Sequence, residues 1–413
     1  VSETQDRFAR LRQSSDARSA EAIEALVREG SDRSLHRVNV FDFAAAHGLR
    51  EERALGAFLH AARLGLFDMS WNLLCPGCGG VLDANATLKT VRRDAYNCAL
   101  CGAGYHPTLD EMVEVSFTVN PRVRRIAAHD PEALPIWEYN RQMYWSSGID
   151  LPADDREFDA LVRRMVIDAV ALAPGEQRTL SATLPAEFCI VFDPVTHAAQ
   201  FIDVRGEPAR EPQPLRMAFR AQQAPTETVR LRPGPLELTL ENHTAARALP
   251  GLFIAGHDLH ALLGRRKRYL TAKQVLTNQT FRDIYRTDAL DVDQRLSLTS
   301  LTFLFTDLKG STEMYERVGD LAAFDLVKAH FRVLHEIVAA QSGAVVKTIG
   351  DAVMATFPTP ERGLGAALGM RDAMRALNDA KGREDLTLKI GVHEGPCLAV
   401  TLNDRLDYFG QTV

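Results

Sequence analysis

The chain of 413 residues has no apolar run approaching the roughly 18–20 residues that a membrane-spanning helix needs. It has no excess of positive charge either: the formal net charge is −6, which removes any general attraction to nucleic acid or to an anionic membrane. Low-complexity tracts and internal repeats are absent, and a composition of 46% hydrophobic and 25% charged residues rules out wholesale disorder. Nothing at the start reads as a signal peptide, because the stretch from Val1 to Arg33 is densely charged and of helical pattern. The length allows two or three domains.

Cysteine is scarce but clustered. Four of the 6 cysteines fall as Cys75-Pro-Gly-Cys78 and Cys98-Ala-Leu-Cys101, with the spacing of a zinc ribbon. Gly77, Gly79, Gly102 and Gly104 relieve the two knuckles so that four thiolates can converge on one ion. Four thiolates close the coordination sphere, which makes the site structural, with disulfides as the alternative. Cys189 and Cys397 lie in apolar surroundings and read as small core residues. Between the knuckles, Lys89, Arg92 and Arg93 form a small basic group offset by Asp83 and Asp94, with Tyr96 and Tyr105 as stacking candidates. That is thin for a nucleic-acid surface.

The most informative segments lie near the end. Leu301-Thr-Phe-Leu-Phe-Thr-Asp-Leu-Lys-Gly-Ser-Thr312 is a buried-strand pattern ending in Asp307 and a Gly310 turn that can start a helix. Val345-Val-Lys-Thr-Ile-Gly-Asp-Ala-Val-Met-Ala-Thr-Phe357 predicts a tight hairpin with Gly350 and Asp351 at its bend. An Asp after a strand is commonly a cap or turn former. Two carboxylates at strand ends, each beside a glycine that allows close approach, also suit hard divalent cations and a polyphosphate.

Together with Lys347 and with Leu406-Asp-Tyr-Phe-Gly-Gln-Thr-Val413, these segments resemble the catalytic domain of class III nucleotide cyclases over roughly Ser297 to Val413. The resemblance implies a ferredoxin-like α/β fold working as a homodimer with active sites at the interface. It implies that Asp307, the Leu308 carbonyl and Asp351 hold two Mg²⁺ or Mn²⁺ ions, and that Asp307 and Asp351 are the catalytic pair. It implies that Lys347 and Asp407 read the base from the partner subunit, in a donor and acceptor pattern that favours ATP over GTP, with Gly310 and Gly350 near the substrate. Lys389 is either a phosphate contact or an exposed strand lysine. In the family an Asn follows the Thr-Val segment and an Arg comes three residues later. A chain ending at Val413 therefore stands short of two charge-stabilising residues and of the closing helix and strand, and the expected activity belongs to a longer parent protein.

Upstream, residues 1–72 are expected to be a helical segment, with Val38 to Leu74 reading as helices. Residues 73–107 are the expected zinc ribbon. Residues 108–256 begin with the alternating strand Val113 to Val119 and a helical stretch from Pro131 to Leu172. Strands at Thr179–Leu184, Phe188–Phe192, Ala199–Val204, Leu215–Phe219, Thr228–Leu231 and Leu236–Glu241 then suggest a small β-sandwich-like domain. His197, His243, His257 and His260 are scattered and form no constellation. Residues 257–296 are a helical connector, whose Arg265-Arg-Lys-Arg268 run reads as a solvated face or a site for an acidic partner, with Asp291 to Arg295 as the link to the cyclase domain at 297–413. The whole front half resembles a zinc-containing region of uncharacterised role that precedes some bacterial cyclase domains.

The fold class expected is α+β multidomain, and the function an adenylate cyclase using ATP, two Mg²⁺ or Mn²⁺ ions per site and a structural Zn²⁺, in the cytoplasm and without membrane or nucleic-acid partners. A catalytically silent nucleotide sensor and a zinc-dependent nucleic-acid-binding regulator are the competing readings.

Overall fold

The apolar run read from Leu301 starts earlier in the structure: Leu296–Leu308 is one strand, irregular between Leu298 and Leu301, at the centre of a five-stranded antiparallel sheet. The computed structural model describes residues 3–91, 96–220, 227–285, 290, 294–380, 382, 387–403 and 405–413. Arg92, Arg93 and Asp94, residues 291–293 of the expected link, and Leu386 lie outside the described residues.

On one side of the central strand lies the hairpin Ala344–Ile349 and Ala352–Phe357; on the other lie Leu388–Leu402 and Arg405–Phe409. Successive strand residues face opposite ways, and both faces of this sheet are apolar. Leu304, Val353, Ala355 and Phe357 pack with Leu334, Val338, Ala366 and Met370 of the helices Asp320–Ala340 and Pro360–Ala380. Phe303, Met354, Ala399, Leu406 and Tyr408 are equally buried and belong to a different core.

That second core is built by the front half. Phe8, Leu11, Ile23, Phe43, Phe58, Phe67, Trp71, Phe117, Leu276 and Phe281 share one continuous cluster with Phe303 and Tyr408. At about 1.5–3 kcal/mol for each large apolar side chain removed from water, this shared core is a major part of what holds the two halves together. Polar contacts fix its alignment: Leu109 N donates to the Ser297 carbonyl at 3.0 Å, Val345 N to Gln279 Oε1 at 2.8 Å, and Thr401 Oγ1 to the Leu290 carbonyl at 3.0 Å.

Four helices follow, Glu3–Ser14, Ala17–Glu29, Val40–Ala46 and Glu51–Arg63, of which the second and third begin at side-chain caps. Asp16 accepts from Ser19 N at 3.0 Å and Asn39 from Phe41 N at 3.0 Å, each cap contributing about 1 kcal/mol. The helical reading as far as Leu74 is corrected here. After Gly65, which takes a left-handed φ of 71°, Phe67–Leu74 is a strand lying between Val81–Asn85 and Val113–Val119. Pairing on both sides outweighs the weak local helical preference of that segment. The same sheet joins residues on either side of position 107.

Strands occupy Gln177–Leu184, Cys189–Asp193, Ala198–Val204, Gln213–Phe219, Val229–Leu231 and Gly234–Asn242. They fall in a three-stranded and a five-stranded sheet that contribute jointly to one core, including Leu184, Val191, Ile202, Phe219 and Leu238. Among its described residues the connector holds three short helices, His257–Gly264, Ala272–Leu276 and Gln279–Ile284. Its basic run keeps Arg265, Arg266 and Arg268 exposed, in keeping with a solvated face, and makes contacts within the chain: Lys267 pairs with Asp42 at 2.7 Å, Arg268 with Glu51 at 2.9 Å, and Arg266 Nη2 donates to the Gly77 carbonyl at 2.6 Å. Among the described residues no helix is long and apolar enough to cross a membrane.

Candidate active site and metal centre

Asp307 is the penultimate residue of the central strand, and Asp351 follows the bend of the neighbouring hairpin. Gly310 and Gly350 take φ of 68° and 62°, the left-handed region where a side chain is disfavoured. Leu308 N donates to Asp351 Oδ2 at 3.1 Å, which ties the bend to the strand end that carries Asp307. Lys389, directly opposite Asp307 in the sheet, places Nζ 3.1 Å from Asp307 Oδ2, with both side chains more than half exposed. A cation therefore already stands on this carboxylate. Two carboxylates and a carbonyl at one sheet end are hard oxygen donors of the type that divalent cations take. His330, fully buried on its helix, lies beside this bend; burial holds its imidazole below the ordinary value, with Asp351 acting against the shift.

Lys347 and Asp407 lie on the two outermost strands of the sheet, yet Lys347 Nζ is 2.5 Å from Asp407 Oδ2. A register irregularity between Val345 and Lys347 precedes the lysine, and such bulges re-aim a side chain. The Asp407 side chain is 10% exposed and Lys347 is 41% exposed. Asp407 Oδ1 also accepts from Tyr408 N at 2.8 Å.

Over this pair sits the front half. Arg282 Nη2 donates to the Leu406 carbonyl at 2.6 Å and to the Val346 carbonyl at 3.5 Å. A cavity of about 260 Å³ is lined from one side by Gln279, Arg282 and Tyr285 and from the other by His335, Lys347 and Leu406. Nothing in the sequence marked Arg282 or His330, since a lone Arg or His on a helix carries no pattern.

The four cysteines converge. The Sγ atoms of Cys75, Cys78, Cys98 and Cys101 lie within 4.8 Å of one another, and all four are free thiols. Cys75 to Cys101 and Cys78 to Cys98 are 3.6 Å apart, close to the roughly 3.8 Å edge of a tetrahedron whose centre is about 2.3 Å from each sulfur. Cys78 N donates to Cys75 Sγ and Gly80 N to Cys78 Sγ, both at 3.4 Å, as in a knuckle that favours thiolate. Interaction with Cys101 first, then with the other thiols, pulls Cys75 down and pushes Cys98 up, as expected of thiols packed close enough to share protons. Tyr96 and Tyr105 are paired across the small ribbon hairpin and are half-buried. Burial raises the Cys189 thiol to about 11 and the Cys397 thiol to about 12, in keeping with inert core positions.

Residues 1–283 match a family of unknown function (DUF5939), and residues 294–413 match the family described as the adenylate and guanylate cyclase catalytic domain. An adenylate cyclase of Anabaena cylindrica is 28% identical over 122 residues, 27% of this chain and 24% of that protein. The guanylate cyclase soluble subunit beta-2 of Homo sapiens is 27% identical over 124 residues, 28% of this chain and 20% of that protein. The chain thus spans about a quarter or less of the length of these curated relatives. Among solved structures, the adenylyl cyclase CyaB of P. aeruginosa is 26% identical over 29% of this chain and 69% of its own, with a TM-score of 0.27.

Proposed function

Residues 1–283 belong to a family of unknown function and residues 294–413 to the adenylate and guanylate cyclase catalytic domain family, and from that premise we propose that this protein is an adenylate cyclase making 3′,5′-cyclic AMP and pyrophosphate from ATP. The bond formed joins the ribose 3′-oxygen to the α-phosphorus, and the bond broken releases pyrophosphate. Asp307, Asp351 and the Leu308 carbonyl hold Mg²⁺ or Mn²⁺, which supplies charge neutralisation for the triphosphate and lowers the pKa of the attacking hydroxyl. Gly310 and Gly350 leave the backbone open to the phosphates.

The observation that carries the choice of ATP is the Lys347–Asp407 pair at 2.5 Å. A lysine donor suits a ring nitrogen of adenine, and a carboxylate acceptor suits its exocyclic amine. Guanine presents the opposite pattern and would leave both groups unpaired, which such sites reject strongly. The partner subunit is a second copy of this chain: exposed Ile349 and Phe409, at 57% and 66%, extend the two strands that carry Lys347 and Asp407 and offer apolar surface for it. The front half is a regulatory module, whose Arg282 reaches the backbones of those strands. The four cysteines hold one structural Zn²⁺ within it.

The test is turnover of ATP and GTP with Mn²⁺, followed by the double substitution Lys347→Glu and Asp407→Cys, which should move preference toward GTP. Preference for GTP in the wild type, or no change of preference in the double variant, removes the base assignment.

A further inference from the structure

The front half contains a second, larger cleft, remote from the cyclase site, of about 580 Å³. Polar and charged residues make up much of its lining, but most of the exposed wall area is apolar, with Phe43, Trp145 and Ile149 among the residues that supply it. Four cationic side chains also line it, and three of them are already committed. Arg33 is held by Glu138 and Asp155, Arg141 by Asp155 and two backbone carbonyls, and Lys267 by Asp42. His36 is neutral, since burial pushes it down to about 3.

Arg37 is different. It is 9% exposed, and its Nη1 donates to the Met143 carbonyl at 2.7 Å, but no described residue forms an ion pair with it. A guanidinium has five N–H donors and keeps its charge when buried. The nearest compensation is Glu114, which acts only through space because it is already bound by Asn72 and Ser147. Arg37 also holds φ at 45°, a strained value for a residue with a side chain. Two further residues that line the cleft, Ser146 and Gln142, are 4% and 8% exposed, and their side-chain oxygens Oγ and Oε1 are buried with no hydrogen-bond partner. Orphaned polar atoms beside a buried cation that has no ion-pair partner are costly unless something fills the space.

We propose that this cleft binds a small organic anion, its carboxylate or phosphate on Arg37 and Ser146 and its apolar body along Phe43, Trp145 and Ile149. The volume lies in the range of small-molecule sites, which set polar groups that fix a ligand's orientation beside apolar surface that takes its body. Asn39, also in the lining, donates to the Arg268 carbonyl at 2.7 Å, which ties the cleft to the segment leading to the later connector helices and Arg282.

The experiment is calorimetric titration of the full chain with sodium hexanoate in one arm and inorganic phosphate in the other, alongside thermal unfolding. Saturable binding at millimolar or lower concentration is expected with at least one probe, and the arm that responds identifies the head group. Arg37→Gln should weaken that binding by about tenfold or more. Ser146→Ala removes a hydroxyl with no partner in the protein, so it should weaken binding severalfold while leaving the unfolding temperature unchanged or raised. If Arg37→Gln fails to fold, Ser146→Ala decides. Saturable binding of neither probe, or binding that Ser146→Ala and a folded Arg37→Gln leave unchanged, overturns the proposal.

Discussion

Arg282, in the last connector helix, donates through one nitrogen to the Leu406 carbonyl at 2.6 Å and also reaches the Val346 carbonyl at 3.5 Å. A single residue of the front half thereby clasps the two outermost strands of the catalytic sheet, next to Lys347 and Asp407. Replacing Arg282 by Met should leave the Leu406 carbonyl unpaired at a cost of about 1–3 kcal/mol. Urea unfolding should show the lower midpoint, and hydrogen exchange should speed up along Ala344–Ile349 and Arg405–Phe409 in particular. Exchange rising evenly over the whole chain would argue against a local clasp.

Asp307→Ala and Asp351→Ala should each lower cyclic AMP formation by about 10²-fold or more, the scale seen when groups that stabilise developing charge are removed. Because metal carboxylates and base-reading residues are proposed to meet from opposite subunits, mixing Asp307→Ala with Lys347→Ala should restore part of the activity. Heterodimers that stay inactive would count against the shared-site arrangement.

Purified protein should carry one zinc per chain by elemental analysis. Structural zinc contributes roughly 10–16 kcal/mol of apparent binding free energy in small peptides. Here its loss should spread beyond the ribbon, because Cys75, Cys78 and Cys98 share a core with Tyr144, Trp145, Phe192 and Leu259. Chelation or Cys98→Ser should therefore lower the unfolding temperature and open the ribbon to protease. Zinc-free protein under reducing, chelator-free conditions would sink the assignment.

Stability should fall in mild acid. His36 lies in the interior with Nε2 2.9 Å from the Gln142 carbonyl and Nδ1 3.3 Å from Thr118 Oγ1, and burial, then Arg37 and His129, push it down to about 3. The unfolded chain takes up a proton near pH 6.5, whereas the folded chain does not. The stabilisation is complete above about 6.5 and is lost as the pH falls toward 3, at about 1.4 kcal/mol per unit for one such group. Burial lowers His60 and His197 in the same sense. Urea midpoints measured from neutral to mildly acid pH should show the decline, with a shallower slope in His36→Gln.

The strands between Gln177 and Asn242 were legible because short runs rich in apolar residues stand between Pro and Gly turns, and the ends observed lie within a few residues of those read. The hairpin around Gly350 was legible for the same reason. Phe67–Leu74 was not: its composition tolerates a helix, and only its neighbours on both sides make it a strand. The Arg265–Arg268 run showed its charge but not its partners, since Asp42 and Glu51 are far away in the chain. Lys347 and Asp407 could be matched to a motif one at a time, but their direct contact, and Arg282 above them, depend on how the sheet folds across itself.

Phe303, Met354 and Tyr408 are kept dry by side chains from the other end of the polypeptide. A catalytic sheet of this kind is not a portable cassette. Cutting it away at the connector would strip an apolar wall bare and invite self-association, and grafting a different sensor in front would require that sensor to reproduce the matching surface. Evolutionary change on either side of this wall is therefore constrained by the other, so substitutions at Trp71, Leu276 or Phe281 should be accompanied by changes at Phe303, Met354 or Tyr408.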